Sequence, residues 1–580
     1  MMLKMKGIGA SNGIALAKAL ILKHETIKTN PKKIDEKEIE GEVKKLHDAL
    51  KIAGDEIKQL IQNTTKTLGE EKAAVFEAHF LVTTDPVLIE DTEKLIKEEK
   101  YNAANALEST ANKAIATFQS MDDDYFRERA ADVIDVRDRI LRKILNIKTI
   151  DLSAIKEETI IVSHDLTPSE TSQLNPKFVK GFLCDIGGRT SHAAIMARSL
   201  GIPAVLGLKN VTTKVKNNQF CVLDGNTGEI EIDLNSSEKN KWVAKQNAWI
   251  EEQKELLVFK GKLTKTSDNH EVKLEANIGS PKDMIKAIEY DAQGVGLFRS
   301  EFLYMESSDF PSEDIQFEEY KKVLSATKHK VVIRTLDIGG DKELSYLDLP
   351  KEMNPFLGYR AIRLCLDRKD IFKTQLRALI RASAFGKLAI MFPMIATVEE
   401  FKAAKALYET CKKELIKEKV KVSDDIQVGM MIEIPAAAVN TETFAKYADF
   451  FSIGTNDLIQ YSLAADRMSE KVSYLYQPYH PSILRLIKMT IDGGHKYNRP
   501  VAMCGEMAGD KIAVPLLVGL GLDEFSMSAS SVLETRKIIS TLNKKDTEIL
   551  ASKALQCETN EEVKSLVEKF YQKNKNIIYF

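Results

Sequence analysis

The sequence predicts a multidomain α/β protein, in which an α/β domain with an inserted helical bundle is followed by a (β/α)₈ barrel of the TIM type. Three observations lead to this prediction. At 580 residues the chain is too long for a single hydrophobic core. Residues 33–147 are charged, poor in glycine and proline, and apolar at helical spacing. From about residue 260 onward, eight strand-like runs alternate with helical stretches.

The first predicted element is a short β-rich segment over residues 1–22. Its GIGASNG stretch (7–13) has the glycine content of a dinucleotide-binding loop, but no strand precedes it and the glycine spacing is wrong. We therefore reject that motif. The second element, residues 23–147, predicts a bundle of antiparallel helices. Apolar residues recur there at helical spacing, as at Val43, Leu46, Leu50 and Ile57.

Strand-like runs return after the helical block, at residues 159–162, 178–184 and 220–224. Turns rich in Gly, Pro and Asn separate them. The sequence therefore predicts that residues 1–22 and 148–233 form one α/β domain into which the helices are inserted. Residues 234–259 predict a linker helix.

The barrel is predicted over residues 260–580. Its eight strand-like runs lie at 272–276, 294–298, 331–335, 388–394, 428–433, 449–454, 500–504 and 524–527. In barrels of this kind the functional groups lie at the carboxyl ends of the strands. The residues that follow each run are therefore the candidates for chemistry.

Composition excludes several classes of function. With 83 Lys and Arg against 85 Asp and Glu, the formal charge of −2 argues against nucleic-acid binding over the whole protein. No apolar stretch reaches the roughly 20 residues of a membrane span, so no membrane insertion is expected. Six scattered cysteines without a CxxC pair suit reduced thiols, which predicts a cytoplasmic protein without a structural zinc site.

The run from Gly187 to Arg198 (GGRTSHAAIMAR) holds the leading candidate for chemistry. It places His192 on a glycine-permitted turn where a small-residue helix begins. Backbone N–H groups and the helix dipole favour an anion such as a phosphoryl group there, and a neutral imidazole is a nucleophile. Arg189 and Arg198 are placed to pair with that phosphate. The alternative is a helix cap whose histidine only packs.

The ends of the barrel strands are unusually polar. Several arginines there supply clamps for phosphate and carboxylate groups, and two carboxylates offer hard oxygen ligands that could share one Mg²⁺ with the substrate. These side chains belong to Arg299, Arg334, Arg360, Arg467, Glu433 and Asp457. Together they predict a small, strongly anionic, phosphorylated substrate. For any one of the arginines the alternative is a salt bridge at the rim.

Longer motifs carry a resemblance that covers essentially the whole chain. The 187–198 run, with LTPSET at 166–171 before it, resembles the phosphohistidine domain of the phosphoenolpyruvate-utilising enzymes. The barrel motifs are similar to those of the Enzyme I family of the bacterial phosphoenolpyruvate-dependent sugar phosphotransferase system. These motifs are GLFRSEFL (296–303), RTLDIGGDK (334–342), NPFLGYRAIR (354–363), MIEIPAA (431–437), FSIGTNDL (451–458) and CGEMAGD (504–510).

The resemblance implies a role for each candidate residue. His192 is the expected phosphoryl acceptor, and Cys504 is the expected proton donor that converts the enolate to pyruvate. Thr171 and Arg189 are expected to support His192. Phosphoenolpyruvate is expected to bind Arg299, Arg334, Arg360, Asn456, Asp457 and Arg467, with Glu433 and Asp457 holding Mg²⁺. For Cys504 the alternative is a buried core filler, since free cysteine is among the most buried residue types.

The resemblance also implies an activity and its partners. The enzyme is expected to move the phosphoryl group of phosphoenolpyruvate to its own histidine and then to a histidine-containing phosphocarrier protein, releasing pyruvate. This is the first step of sugar uptake by the phosphotransferase system. The phosphohistidine domain is expected to swivel, the carrier to dock on the helical insert, and the barrel to form a homodimer.

Three other functions are weighed against this one. A pyruvate phosphate dikinase or phosphoenolpyruvate synthase would need a nucleotide-binding module, for which the chain has no Walker-type loop and no spare length. A nitrogen-sensing relative would carry an additional N-terminal domain. A non-catalytic regulator should have lost some of His192, Glu433, Asp457 and Cys504, and all four are present.

Overall fold

The computed structural model describes residues 3–22, 27, 29, 33–68, 70–119, 124–147, 152, 155–171, 174–188, 191–305, 307, 309–340, 342, 344, 346–347, 349–350, 352–467 and 469–574. The chain forms two compact units, Met1–Gln253 and Lys254–Phe580. Each unit has its own buried apolar clusters.

The first unit contains a mixed sheet of eight strands. They are β1 (Leu3–Lys6), β2 (Ile8–Ser11), β3 (Ile14–Leu22), β4 (Thr159–Ser163), β5 (Val179–Cys184), β6 (Ala204–Leu206), β7 (Phe220–Asp224) and β8 (Glu229–Ile232). Their order across the sheet is β1-β8-β7-β3-β4-β5-β6-β2. Strands β3 to β6 run parallel to one another, so β4 and β5 end on the same edge of the sheet.

The strands predicted at 159–162, 178–184 and 220–224 are confirmed as β4, β5 and β7. All five residues of β4 are buried, as expected of a central strand that is covered on both faces. The residues of the rejected dinucleotide loop lie just before β2, in β2 and in the turn before β3. Strands β6 and β8 were not predicted, since they are only three and four residues long.

Among the residues that the structure describes, five α-helices lie between β3 and β4, where the sequence predicts an insertion. They are α1 (Ile39–Leu68), α2 (Glu70–Thr83), α3 (Pro86–Lys97), α4 (Ala103–Gln119) and α5 (Asp124–Ile144). Apolar side chains at helical spacing form their common core. The most buried of these, each at most 1% exposed, include Leu46, Ile57, Ile96, Leu107 and Ile140.

Four further helices follow in the chain: α6 (Pro168–Thr171), α7 (His192–Leu200), α8 (Val211–Lys214) and α9 (Ser236–Leu257). Helix α9 lies where the sequence predicts a linker helix. It is attached to the sheet of the first unit, because Trp242 Nε1 donates to Glu231 Oε2 at 2.9 Å and Gln246 Nε2 donates to the Ile14 carbonyl at 2.7 Å. The boundary between the two units therefore falls inside a helix, after Gln253.

The second unit is a closed barrel of eight parallel strands, as the sequence predicts. They are β9 (Lys273–Ile278), β10 (Val295–Arg299), β11 (Lys330–Arg334), β12 (Lys387–Phe392), β13 (Gln427–Ile432), β14 (Phe451–Ile453), β15 (Val501–Met503) and β16 (Glu524–Met527). Pairing of β16 with β9 closes the ring. Apolar side chains fill its interior, among them Leu297, Val332, Met391, Met431 and Phe450.

Helices alternate with these strands and surround the barrel. They are α10 (Asp283–Glu289), α11 (Glu301–Met305), α12 (Glu313–Ser325), α13 (Ile362–Asp367), α14 (Lys369–Ala382), α15 (Val398–Lys417), α16 (Pro435–Val439), α17 (Thr441–Phe444), α18 (Thr455–Leu463), α19 (Pro481–His495), α20 (Ala513–Leu520), α21 (Val532–Thr541), α22 (Lys544–Ala554) and α23 (Asn560–Lys573). Within the described ranges, no helix combines the length and the apolar character that crossing a bilayer requires.

Candidate active site

His192 is the first residue of α7, at the edge of the sheet where β5 ends. Ser191 caps the helix, and its Oγ accepts a hydrogen bond from Ala194 N at 3.4 Å. Gly187 has a φ of +104°, which a residue with a side chain rarely adopts and which turns the chain into the helix. The helix therefore begins at His192 as predicted, and the anion site at its N-terminus stays a prediction. The His192 side chain and the whole of Arg189 lie outside the described residues.

Thr171 lies at the end of α6, which packs against α7. Its side chain is fully buried, and its hydroxyl donates to the Thr167 carbonyl at 3.0 Å. The predicted contact between Thr171 and His192 stays a prediction.

The structure corrects the expectation for Arg198. This residue lies in the last turn of α7, away from the helix N-terminus, and its Nη1 donates to the Ala10 carbonyl on β2 at 2.9 Å. Sequence proximity to His192 suggested a phosphate ligand, but Arg198 lies six positions further along the helix, nearly two turns away.

A second imidazole lies at the same edge of the sheet, and the sequence analysis did not single it out. His164 follows β4, and its Nδ1 lies 3.2 Å from Asp185 Oδ2 at the end of β5. Asp185 also accepts a hydrogen bond from Thr212 N at 3.1 Å. Burial alone would raise the pKa of Asp185, but its bonds to Thr212 and His164 hold that pKa below its ordinary value. Asp185 thus links both strands to α8.

In the barrel, the predicted arginines and carboxylates come together at the carboxyl ends of the strands. Arg334 is the last residue of β11 and is only 6% exposed. Its guanidinium binds Glu301 Oε1 at 2.5 Å and Asp337 Oδ2 at 2.9 Å. Lys342 binds the same two oxygens, at 2.8 and 3.2 Å. Two cations therefore share two buried carboxylates.

Arg360 enters the same network from the loop after β11. Its Nη2 lies 2.9 Å from Asp337 Oδ1 and 3.4 Å from Asp457 Oδ2. Burial opposes charge on the Asp337 carboxyl, but Arg334, Lys342 and Arg360 hold its pKa well below the ordinary value. In the same way, burial lowers the pKa of Arg334 and Arg360 less than the carboxylates raise it. Asp337, Arg334 and Arg360 are therefore ionised at neutral pH.

The two predicted metal ligands follow β13 and β14. Glu433 is 2% exposed, and its Oε1 accepts a hydrogen bond from Met394 N at 2.5 Å. Burial and the neighbouring Asp457 carboxylate raise the pKa of Glu433 to about 8. A Cβ at Gly454 would lie 2.9 Å from Met431 Sδ and 3.2 Å from Glu433 Oε2, so glycine leaves room for this carboxylate.

The remaining predicted ligands surround this pair of carboxylates. Arg467 Nη1 lies 3.5 Å from Asp457 Oδ1. Asn456 Oδ1 accepts from the Tyr476 hydroxyl at 3.5 Å. Arg299 ends β10 directly beside Arg334 on β11, and in the described part of the chain its half-buried guanidinium makes no ion pair or hydrogen bond.

Cys504 follows β15 and is 3% exposed. It packs in the barrel interior against apolar residues such as Leu297 and Met431. Burial raises the pKa of its thiol above the ordinary value, and the nearby Arg334 and Arg299 offset part of that effect. The thiol is therefore protonated at neutral pH and lies beneath the charged network.

Several buried polar atoms at this end of the barrel lack a hydrogen-bond partner among the described residues. They are Glu301 Oε2, Arg334 Nε, Arg360 Nε, Thr455 Oγ1 and Asp457 Oδ1. Leaving one such atom unpaired costs about 1–3 kcal/mol, so a cluster of them is expected where a ligand completes the bonds. The set contains both donors and acceptors. It fits an anion accompanied by a cation.

Sequence reasoning did not assign roles to Glu301, Asp337, Lys342 or Tyr461. Glu301 and Arg334 are 33 residues apart, and only the pairing of β10 with β11 brings them together. Glu301 lies in the motif GLFRSEFL, and Asp337 and Lys342 lie in RTLDIGGDK. Membership of these motifs was the sequence signal that could have identified the three residues.

Family profiles of the phosphoenolpyruvate-utilising enzymes match most of the chain. The PEP-binding domain matches residues 253–544, the N-terminal domain residues 6–129 and the mobile domain residues 155–228. Among solved structures, an NMR solution structure of Enzyme I covers 42% of this chain and 99% of its own at 40% identity, with a TM-score of 0.39.

Two relatives match along nearly their whole length. A phosphoenolpyruvate-protein phosphotransferase of Mycoplasma capricolum subsp. capricolum is 55% identical over 567 residues, covering 98% of this chain and 99% of the relative. One of Staphylococcus carnosus is 52% identical over 572 residues, with 98% and 99% covered. The chain belongs to the phosphoenolpyruvate-utilising enzymes and, among them, to the family of phosphoenolpyruvate-protein phosphotransferases.

Proposed function

We propose that this enzyme transfers the phosphoryl group of phosphoenolpyruvate to its own His192 and then to a histidine-containing phosphocarrier protein, releasing pyruvate. This would be the first step of sugar uptake by a phosphotransferase system. One observation carries the proposal: buried donors and acceptors without partners gather among the cations at the mouth of the barrel. The near full-length similarity to phosphoenolpyruvate-protein phosphotransferases supports it.

Phosphoenolpyruvate carries a phosphate and a carboxylate, and the mouth of the barrel offers cations for both. We assign the substrate to Arg299, Arg334, Arg360, Asn456, Asp457 and Arg467. Of these arginines, Arg299 is the most available to a ligand, because it makes no ion pair in the described part of the chain. Arg334 and Arg360 are held by carboxylates and so are already oriented when the substrate arrives.

Glu433 and Asp457 fit a magnesium ion. Mg²⁺ binds one or two protein carboxylates together with substrate oxygens, and Asp457 Oδ1 accepts no hydrogen bond in the described structure. Burial and then the charge of Asp457 raise the pKa of Glu433, and a bound cation would offset the repulsion between the two carboxylates. A bound Mg²⁺ would supply charge stabilisation for phosphoryl and enolate oxygens.

In the chemical step, the His192 nitrogen attacks phosphorus while the bond from phosphorus to the enolate oxygen breaks. Arg299, Arg334 and Arg360 stabilise the transferring group. The enolate carbon then takes the proton of the Cys504 thiol, which yields pyruvate and a thiolate that solvent protonates again. The protonated, buried state of the thiol suits it to this role.

His192 and the barrel residues belong to different units of the chain. The proposed mechanism therefore needs an α/β phosphohistidine domain, residues 1–22 and 148–233, that swivels toward the barrel domain, residues 260–580, and away again. The linker helix, residues 234–259, would connect the two. Residues 23–147 would form the domain that docks the carrier protein.

The helical insert contains a groove of about 560 Å³ that suits such docking. Its floor is apolar, formed by Val82, Leu88, Leu95, Phe118 and Val133. Its rim is mainly acidic, formed by Asp85, Asp91, Glu98, Glu99 and Asp132 against Lys94 and Lys113. An apolar floor within an acidic rim favours a partner with a basic surface around an apolar patch.

Two further assignments complete the proposal. The barrel is expected to form the homodimer of the family. A cytoplasmic location is expected as well, and the six cysteines support it because all are free thiols, five of them buried.

The test uses labelled phosphoenolpyruvate with Mg²⁺ and without nucleotide. The wild-type protein should acquire acid-labile label, and His192→Ala should acquire none. His164→Ala is the matched control, since it removes the other imidazole at this sheet edge and should label normally. Label on His192→Ala, or none on the wild type, would contradict the proposal.

A further inference from the structure

Arg360 is held by two carboxylates and one neutral hydroxyl group. Its Nη2 faces the carboxylates of Asp337 and Asp457, and its Nη1 donates to the hydroxyl oxygen of Tyr461 at 3.2 Å. Among these partners, Tyr461 is the neutral one. Its Nε is buried and has no hydrogen-bond partner in the described structure.

Tyr461 connects three parts of the barrel mouth. It lies on α18, one helical turn after Asp457, so both residues face Arg360 from the same side of that helix. Its hydroxyl donates to the Phe356 carbonyl at 2.5 Å and lies 3.9 Å from Met394 Sδ. The Phe356 ring in turn lies beneath the Arg360 guanidinium, 5.7 Å from its centre.

The backbone near these contacts is strained. Ala361, which follows Arg360, has a φ of +51°, and Met394 has a φ of +56°. Residues with side chains keep such angles only where the surroundings fix them. The Tyr461 hydroxyl contacts groups beside both positions, namely Arg360 and the Met394 sulfur.

We propose that Tyr461 is a positioning residue that fixes the Arg360 guanidinium for the phosphoryl group of the substrate without adding a negative charge beside it. A carboxylate at Nη1 would add a third negative charge where the phosphate must bind, whereas a neutral acceptor fixes the direction of the guanidinium and adds none. Burial raises the pKa of Tyr461 to about 12, so the hydroxyl stays neutral. The inference rests on the proposed function of the barrel mouth.

Tyr461→Phe is the direct test, because it removes the hydroxyl and keeps the ring. The KM for phosphoenolpyruvate should rise roughly tenfold, which is the loss expected for one hydrogen bond to a charged group. The kcat should change by less than about threefold, since Arg360 remains and the loss is shared by ground and transition states. Transfer from phosphorylated carrier protein to the enzyme, which does not use the barrel, should be unchanged.

Tyr571→Phe is the matched control. It removes another tyrosine hydroxyl, on α23, that donates to a backbone carbonyl, that of Lys511 at 2.6 Å, and Tyr571 is not among the residues assigned to the substrate. Its KM should equal that of the wild type. Tyr461→Gln is the second variant, because its amide oxygen can accept from Arg360, and its KM should fall between wild type and Tyr461→Phe.

A double variant separates positioning from a general loss of structure. In an Arg360→Gln background, Tyr461→Phe should raise the KM no further. An unchanged KM in Tyr461→Phe, an equal effect in Tyr571→Phe, or an independent effect in the Arg360→Gln background would overturn the proposal. If wild-type enzyme did not label at all, the proposed function itself would fail, and this inference with it.

Discussion

Arg299 and Arg334 end neighbouring strands, yet their surroundings differ. Arg334 is buried between Glu301 and Asp337, whereas Arg299 is half-buried and makes no ion pair among the described residues. Substitutions at these two positions should therefore distinguish an effect on substrate binding from an effect on the stability of the fold.

We expect Arg299→Ala and Arg334→Ala both to raise the KM for phosphoenolpyruvate at least tenfold, as expected when a charged partner is lost. Only Arg334→Ala should destabilise the protein, by about 3 kcal/mol, because it leaves two buried carboxylates with fewer cations. Arg299→Ala should stay within about 0.5 kcal/mol of wild type. Labelling kinetics and urea unfolding measure the two effects. Equal destabilisation by both variants would contradict this account.

A substitution at Cys504 distinguishes its two possible roles, as a proton donor and as a side chain that only fills the barrel core. Cys504→Ser should bind phosphoenolpyruvate with near-normal affinity but release pyruvate about 10²–10⁴-fold more slowly, which is the usual contribution of a general acid. A hydroxyl is a far weaker acid than a thiol. Pyruvate release and direct binding are measured on the same preparation. Near-normal release would assign Cys504 to the barrel core alone.

At the scale of elements, the barrel strands were predictable because buried parallel strands are short continuous apolar runs. The run predicted at 331–335 corresponds to β11 (Lys330–Arg334), and that at 524–527 matches β16. Strand β8 reads Glu-Ile-Glu-Ile and follows a turn, which gave too short a pattern to recognise. The ion pairs of Arg334 with Glu301 and of Arg360 with Asp337 were not predicted, because strand register and loop course decide such pairs.

The amino-terminal ends of the barrel strands contain a buried charge cluster with a consequence for pH. Glu524 on β16 binds Lys273 at 2.8 Å and also pairs with Lys330. Glu275 on β9 has no hydrogen bond in the described structure, and its nearest cation, Lys330 Nζ, lies 3.8 Å away. Burial, and then the charge of Glu524, raise the pKa of Glu275 to about 8.

We therefore expect the barrel to lose stability as pH rises from 5 to 9. The folded-state pKa of Glu275 lies above its ordinary unfolded value, so its contribution is full below about 4.5 and is lost as pH passes through about 8. Glu275→Gln should flatten this dependence, whereas the exposed Glu289→Gln should not. Far-UV circular dichroism follows urea unfolding of the barrel. Identical pH profiles for wild type and Glu275→Gln would refute the assignment.

At the scale of the whole molecule, the two compact units indicate where the chain can be cut into fragments that fold separately. The sequence suggested a break near residue 233, but Trp242 and Gln246 attach α9 to the sheet of the first unit. Trp242 also packs against Ile14 and Val222. A fragment that ends before α9 would expose this cluster.

We expect residues 1–253 to fold alone, to take phosphate from phosphorylated carrier protein, and to remain unlabelled by phosphoenolpyruvate. Residues 254–580 should bind phosphoenolpyruvate and Mg²⁺ without acquiring stable label. Residues 1–235 are the control and should be less stable by about 3 kcal/mol, since a buried tryptophan is lost. Both tryptophans lie on α9, so their fluorescence reports on the longer fragment. Direct labelling of residues 1–253 would contradict the split site.

The candidate site depends on two strands, β9 and β16, that supply none of its assigned side chains. Its groups are supplied from β10 to β15, ending with Cys504, while the ring closes only when β16 pairs with β9. During synthesis, every catalytic side chain therefore leaves the ribosome before the barrel can close. A chain that ends before Glu524 would contain every candidate site residue but could not close the barrel that arranges them. Substrate binding would therefore report the closure of the ring, the last step of folding.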